Sequence, residues 1–320
     1  RIYHLHFSTL PFSDLFFIRA YPNKTFESFI DGCHTFFEHI GGLTKNIRID
    51  NLSPCVSKVL KGSRRVYTAA FQRSIDYYGF GVLPCTPGKG SDKGDVERDI
   101  RTFSRRLLNL IKVTGRVFRD DADLNEWLMS FCLKYRSDKT KALFAEEETK
   151  LSPLPPREDA VLCHVDTLRV NPYGMLRIDR LRASYSVPDI AIGERCRVVV
   201  SAAAVKIYRS SKGSELLCTH PRKPEGEHSV LIEHVVFSLL RKPAAMLRWR
   251  HKALLFPLPA FRRYYQFLKT RDDIAAEREF LRAVNLIQYV ALSEIAAAMD
   301  LVNDAQSESP FDELKKLLLT

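Results

Sequence analysis

The chain has seven cysteines but no Cys-x-x-Cys pair, and their odd count and wide spacing suit reduced thiols better than a disulfide framework or a zinc site. No run approaches the roughly 18 uninterrupted apolar residues of a membrane helix, and the basic start lacks the apolar core of a signal peptide. Internal repeats and sustained heptads are also missing, which excludes solenoids and long coiled coils. These absences predict a soluble, cytoplasmic protein without membrane association.

The apolar share of 45% and charged share of 27% are those of an ordinary folded protein, and 320 residues suffice for two domains, bordering on three. Acidic residues are outnumbered. A net charge of +11 and a pI near 9.3 favour an anionic partner. Lys89, Lys93, Arg98, Arg101, Arg105 and Arg106 crowd around Glu97, while Arg241, Lys242, Arg248, Arg250, His251 and Lys252 form a second group. Such clusters bind phosphate with little sequence preference. A merely solvated basic face is the other reading, and it stands equally for the second group.

Two aromatic-rich runs, His4 to Leu10 and Leu15 to Tyr21, flank the turn signal Pro11-Phe12-Ser13-Asp14 and predict a hairpin. Thr25 then caps a helix whose apolar face is Phe26, Phe29, Ile30, Cys33, Phe36 and Phe37, ended by Gly41-Gly42. An alternating strand follows over Asn46 to Asn51. A helix from about Tyr67 stops at Gly79, a short strand spans Phe80 to Pro84, and Cys85 to Asp92 reads as a mobile loop. The next helix sets Val96, Ile100, Phe103, Leu107 and Leu110 at helical spacing. Helical pattern continues from Leu124 to Tyr135, and proline-rich Leu151 to Arg157 marks a boundary. Short alternating runs over Val161 to His220 predict a small antiparallel barrel. Helices return over 223–320. There Ile274, Phe280, Leu281, Val284, Ile287, Val290 and Leu292 form an apolar face expected to dock on another subunit or partner.

Asp50 ends one strand and Glu97 lies near the start of a helix, with cations around both. Two carboxylates so placed suggest a Mg²⁺ site that handles phosphate. An Asx turn with Asn51 is the plainer reading of Asp50, and a first-turn glutamate favoured by the helix dipole that of Glu97. Arg101, four residues after Glu97, could pair with it or hold DNA backbone. Trp249 reads equally as a stacking platform or a buried anchor, and His220 as structural.

The runs Phe36-Phe37-Glu38-His39-Ile40-Gly41-Gly42, Ile49-Asp50-Asn51-Leu52 and Val56 resemble the second-aspartate region of IstA-type insertion-sequence transposases. Tyr78-Gly79-Phe80, Leu83-Pro84-Cys85 and Lys93-Gly94-Asp95-Val96-Glu97-Arg98 resemble that family's approach to its catalytic glutamate. Leu151-Ser152-Pro153-Leu154-Pro155, Val170-Asn171, Tyr185-Ser186-Val187-Pro188 and Thr219-His220-Pro221-Arg222 are similar to its later segments. The resemblance implies an α/β fold: an RNase H-like integrase core over 1–135, a linker over 136–160, a small β-barrel over 161–222 and a helical C-terminal region over 223–320. It implies metal-dependent DNA cleavage and strand transfer at insertion-sequence ends. Asp50 and Glu97 would be catalytic and metal-binding, with Mg²⁺ or Mn²⁺, and Lys89, Lys93, Arg98, Arg101 and Arg105 would hold DNA. The implied partners are transposon-end and target DNA, further copies of the chain and an IstB-type AAA+ ATPase. The family's first aspartate belongs on a strand expected to precede Arg1, since Asp14 falls in a turn. A catalytically inactive DNA-binding or assembly module is therefore the alternative expectation.

Overall fold

A computed structural model describes residues 2–49, 54–59, 65–84, 91–209, 215–272 and 275–319, without the side chains at 59, 84, 91–99, 159 and 160. The chain divides into two compact units, Arg1–Val165 with Val199–Ala204 and Asp166–Val198 with Val205–Thr320.

The first unit opens with β1 (His4–Leu10) and β2 (Leu15–Tyr21), an antiparallel hairpin with Leu10 opposite Leu15. The turn expected there forms: Asp14 takes φ 57°, and its N–H donates to Leu10 O. α1 (Phe26–Ile40) follows and ends at Gly41, whose φ of 79° suits glycine. Next come β3 (Asn46–Ile49), β4 (Val56–Val59), β5 (Arg65–Tyr67), α2 (Ala69–Tyr78), β6 (Gly81–Pro84), α3 (Ser91–Thr114), α4 (Asp121–Lys134), α5 (Asp138–Glu148) and α6 (Asp159–Leu162). β3 pairs with β6 in parallel, and β4 with β5 antiparallel.

Strand alternation lets β2 bury both faces. Phe17 meets Phe36 of α1 on one side, while Phe16 stacks on Phe103 of α3 at 3.7 Å and touches Phe131 of α4 on the other. Helices therefore cover both faces of the hairpin. α4 also satisfies the outer edge of β2: Ala20 N–H donates to Asn125 Oδ1 at 2.8 Å, Asn125 Nδ2 donates to Ala20 O, and Ile18 N–H donates to Cys132 Sγ. Among the described strands β1 is paired only with β2. α1 reaches further, because Phe37 touches both Tyr78 and Phe80, the residue before β6. It is buried over more than the apolar stripe read from sequence, with Glu27, Ser28, Asp31 and His34 also enclosed. Asp31 accepts from Tyr21 Oη and Arg157, so the proline-rich segment is tied to this helix. Ile100 departs from the expected face of α3, being 39% exposed, and α3 packs inward from Phe103 onward.

His6 of β1 lies so close to α1 that a Cβ on Gly32 would come within 2.5 Å of its ring. Burial, aided by the Arg19 cation, lowers the His6 pKa to about 4. Unfolded imidazole titrates near 6.5. The stability gained by keeping this ring neutral is thus full above that pH and is lost as pH falls toward the folded value. Substituting His6→Gln should flatten the fall in Tm between about pH 6.5 and about pH 4. Thermal melts across that window check it, and an unchanged slope would assign the titration to other histidines.

The second unit holds most of a four-stranded sheet ordered β12-β11-β10-β7, from β7 (His164–Arg169), β10 (Arg195–Val200), β11 (Ala204–Tyr208) and β12 (Leu216–Pro221). β8 (Met175–Ile178) and β9 (Ala183–Ser186) form a separate antiparallel hairpin. The expected barrel is not there: among the described residues β12 and β7 are sheet edges, and no closed barrel forms. Alternation in β10 and β11 reports a buried face, which an open sheet covered by other elements satisfies as well as a closed one. Part of that cover is visible where Tyr185 of β9 packs edge-on against His220 of β12.

The chain ends in α7 (Ile232–Arg241), α8 (Ala245–Arg248), α9 (Pro259–Arg271), α10 (Ala276–Val284), α11 (Leu292–Asp304) and α12 (Pro310–Leu319). Phe280, Leu281 and Val284 are fully buried in a core shared with α7, α9, α11 and α12. Ile287, Val290 and Leu292 pack against it. The apolar face expected to await a partner is therefore filled by its own neighbours, because helices on both sides in sequence fold back over it. Ile274 lies outside the described residues.

Candidate active site and nucleic-acid surface

The parallel pair β3–β6 organises the candidate metal site. Ile49 sits opposite Pro84, so both strands end at one edge of the pair. Ile49 is buried and Arg48 exposed, as the alternation required. Asp50 follows Ile49 directly in sequence but, with Lys89, lies outside the described residues. From β6 the chain leads to α3, which begins at Ser91, inside the stretch expected as loop; residues 85–90 lie outside the described residues. Glu97 consequently falls in the second turn of α3, too deep for the helix-dipole role. The side chains of Lys93, Glu97 and Arg98 are outside the described residues, as is any pairing of Arg101 with Glu97.

Arg101 and Arg105 are exposed on α3 and make no ion pair with a described residue. Positions 98, 101 and 105 share a helix face by their i, i+3 and i+7 spacing. Arg106 is engaged differently, lying 5.8 Å from the centres of the Phe103 and Tyr135 rings. In the second basic group Arg241, Lys242, Arg248, Arg250 and Lys252 are exposed, and Arg241 is partly neutralised by Asp189 at 3.8 Å. Trp249 packs against the helical core, which favours the anchor reading.

One grouping escaped the sequence. Cys218 and His220 on β12 and His234 on α7 bring one ligand atom each within 4.8 Å of the others. Burial raises the Cys218 thiol to about 12 and lowers both imidazoles. The Cys-x-His alternation on one strand was the available signal, but its third member lies beyond the next turn. Every described cysteine is a free thiol. No described helix is long and apolar enough to cross a membrane.

A family model, "Mu transposase, C-terminal domain", matches residues 154–232. Over those residues the chain is similar to a class of transposase domain. A "Transposase for insertion sequences IS1326/IS1353" of Pseudomonas aeruginosa is 26% identical over 305 residues, covering 91% of this chain and 57% of the relative. A "Transposase" of Aminobacter aminovorans is 24% identical over 91% of this chain and 57% of its own length. The "Transposase for insertion sequence element IS21" of Pseudomonas aeruginosa is 25% identical over 66% of this chain and 55% of its length. The chain is a relative of the insertion-sequence transposases and spans somewhat over half the length of these proteins.

Proposed function

We propose that this chain carries the DNA-cutting and DNA-joining chemistry of an insertion-sequence transposase, with Asp50 and Glu97 holding Mg²⁺ or Mn²⁺. The parallel pairing of β3 with β6 carries the reading. It brings together the strand that runs into Asp50 and the strand that leads to the Glu97 helix. Their oxygen donors suit a hard cation. Ions held by Asp50 and Glu97 would supply positive charge to activate water or a DNA 3′-hydroxyl and to stabilise the departing oxygen. Arg101 and Arg105 position DNA backbone beside that centre. Helices on both faces of β1–β2, with α1 reaching toward β6, support an RNase H-like core. The protein works in the cytoplasm on transposon ends and target DNA, as an oligomer assisted by an IstB-type AAA+ ATPase.

A metal- and DNA-bound structure should place the Asp50 and Glu97 carboxylates within roughly 4 to 6 Å of each other. Carboxylates on opposite sides of the unit would remove the assignment. DNA affinity should fall steeply with salt, on the order of 10²-fold or more between about 50 and about 200 mM for several phosphate contacts. Removing Arg101 and Arg105 together should reduce the log-log slope by about 2. An unaltered slope in binding isotherms would take these residues off the DNA.

A further inference from the structure

We infer that Cys218, His220 and His234 form a binding site for a zinc-class divalent cation that fastens β12 to α7. Cys218 and His220 are two residues apart on a strand and so project from one face. His234 enters from the first turn of α7, two residues beyond the matched transposase domain. Cys218 Sγ and His220 Nε2 are 3.7 Å apart, and the three ligand atoms are mutually within 4.8 Å. Tetrahedral zinc, with bonds of about 2.0 to 2.3 Å, holds such atoms roughly 3.5 Å apart, so Cys218 and His220 already stand near that spacing and His234 closes the remainder, at most about 1.3 Å.

The surroundings are those of oriented ligands. His220 Nδ1 meets Ser229 Oγ at 3.1 Å, and His234 Nδ1 meets Ser186 Oγ at 2.9 Å. Ser186 Oγ also accepts from Leu231 N–H. Each ring is thus fixed through Nδ1, as hydrogen bonds to the far ring nitrogen fix metal-binding histidines. Without metal, His220 Nε2–H donates to Ser186 O at 2.7 Å. On binding, the Cys218 thiol proton leaves to solvent and the sulfur bonds the cation. His220 stays neutral by carrying its proton on Nδ1, where Ser229 Oγ accepts it. A thiolate with two imidazoles selects zinc over magnesium, and water or Ser186 O completes the shell. The site is independent of the carboxylate reading above.

Cobalt titration of the chelator-stripped chain tests this. One equivalent of Co²⁺ should give thiolate-to-cobalt charge-transfer absorption and intense tetrahedral visible bands, both missing in Cys218→Ser; Co²⁺ on Asp50 and Glu97 would give neither. Zn²⁺ should raise Tm and displace the cobalt signal. Ser229→Ala keeps all three ligands and should weaken Zn²⁺ binding roughly 10-fold, which keeps the test open if Cys218→Ser does not fold. Absence of the charge-transfer band in the unmodified chain, or Zn²⁺ affinity unaltered by Ser229→Ala and His234→Ala, would overturn the site.

Discussion

Replacing Glu97 with glutamine in a protein spanning the full length of the relatives is expected to reduce Mg²⁺-dependent strand cleavage by on the order of 10³-fold. Metal ions supply several kcal/mol of transition-state stabilisation, and each 1.36 kcal/mol is about a factor of ten in rate. Glutamine keeps the shape but loses the charge proposed to hold the cation. Asp50→Asn should behave alike. DNA affinity should hold or rise slightly, because one negative charge near phosphate is removed. Labelled element ends, uncut and precleaved, separate the outcomes. A transposase yields cut and joined products, a nuclease only cut ones, and an assembly module neither. Undiminished cleavage by both variants would place the chemistry on other residues.

Much of the first unit was legible because its signals are local. The Pro11-Phe12-Ser13-Asp14 turn sets the hairpin, and Gly41 and Gly79, both at positive φ, end their helices where expected. Long-range facts were not legible. Nothing in the alternation of β10 or β11 states whether a sheet closes, since both outcomes bury the same side chains. Local spacing around Ile274 to Leu292 likewise shows that a face is apolar but not what covers it. The metal-ligand grouping was hidden for the same reason. His234 meets Cys218 and His220 only because the chain turns back after β12 and starts α7 beside it.

The covered face makes a second large effect measurable. Phe280 is fully buried, stacked on Phe256 with ring centres 5.0 Å apart and tilted against Tyr265 at the same distance. Phe280→Ala should destabilise the helical region by about 3 to 5 kcal/mol, the combined loss of transfer energy and the cavity left by incomplete collapse. Leu301→Ala is the control: its side chain is 60% exposed on α11, and its expected change is within about 0.5 kcal/mol. Denaturant unfolding followed by circular dichroism measures both, and the effect should be the same at high and low protein concentration, because the contacts lie within one chain. Were Phe280→Ala to leave the unfolding midpoint unmoved while dissociating an oligomer, the face would pack between chains, and the helical core would need a different arrangement.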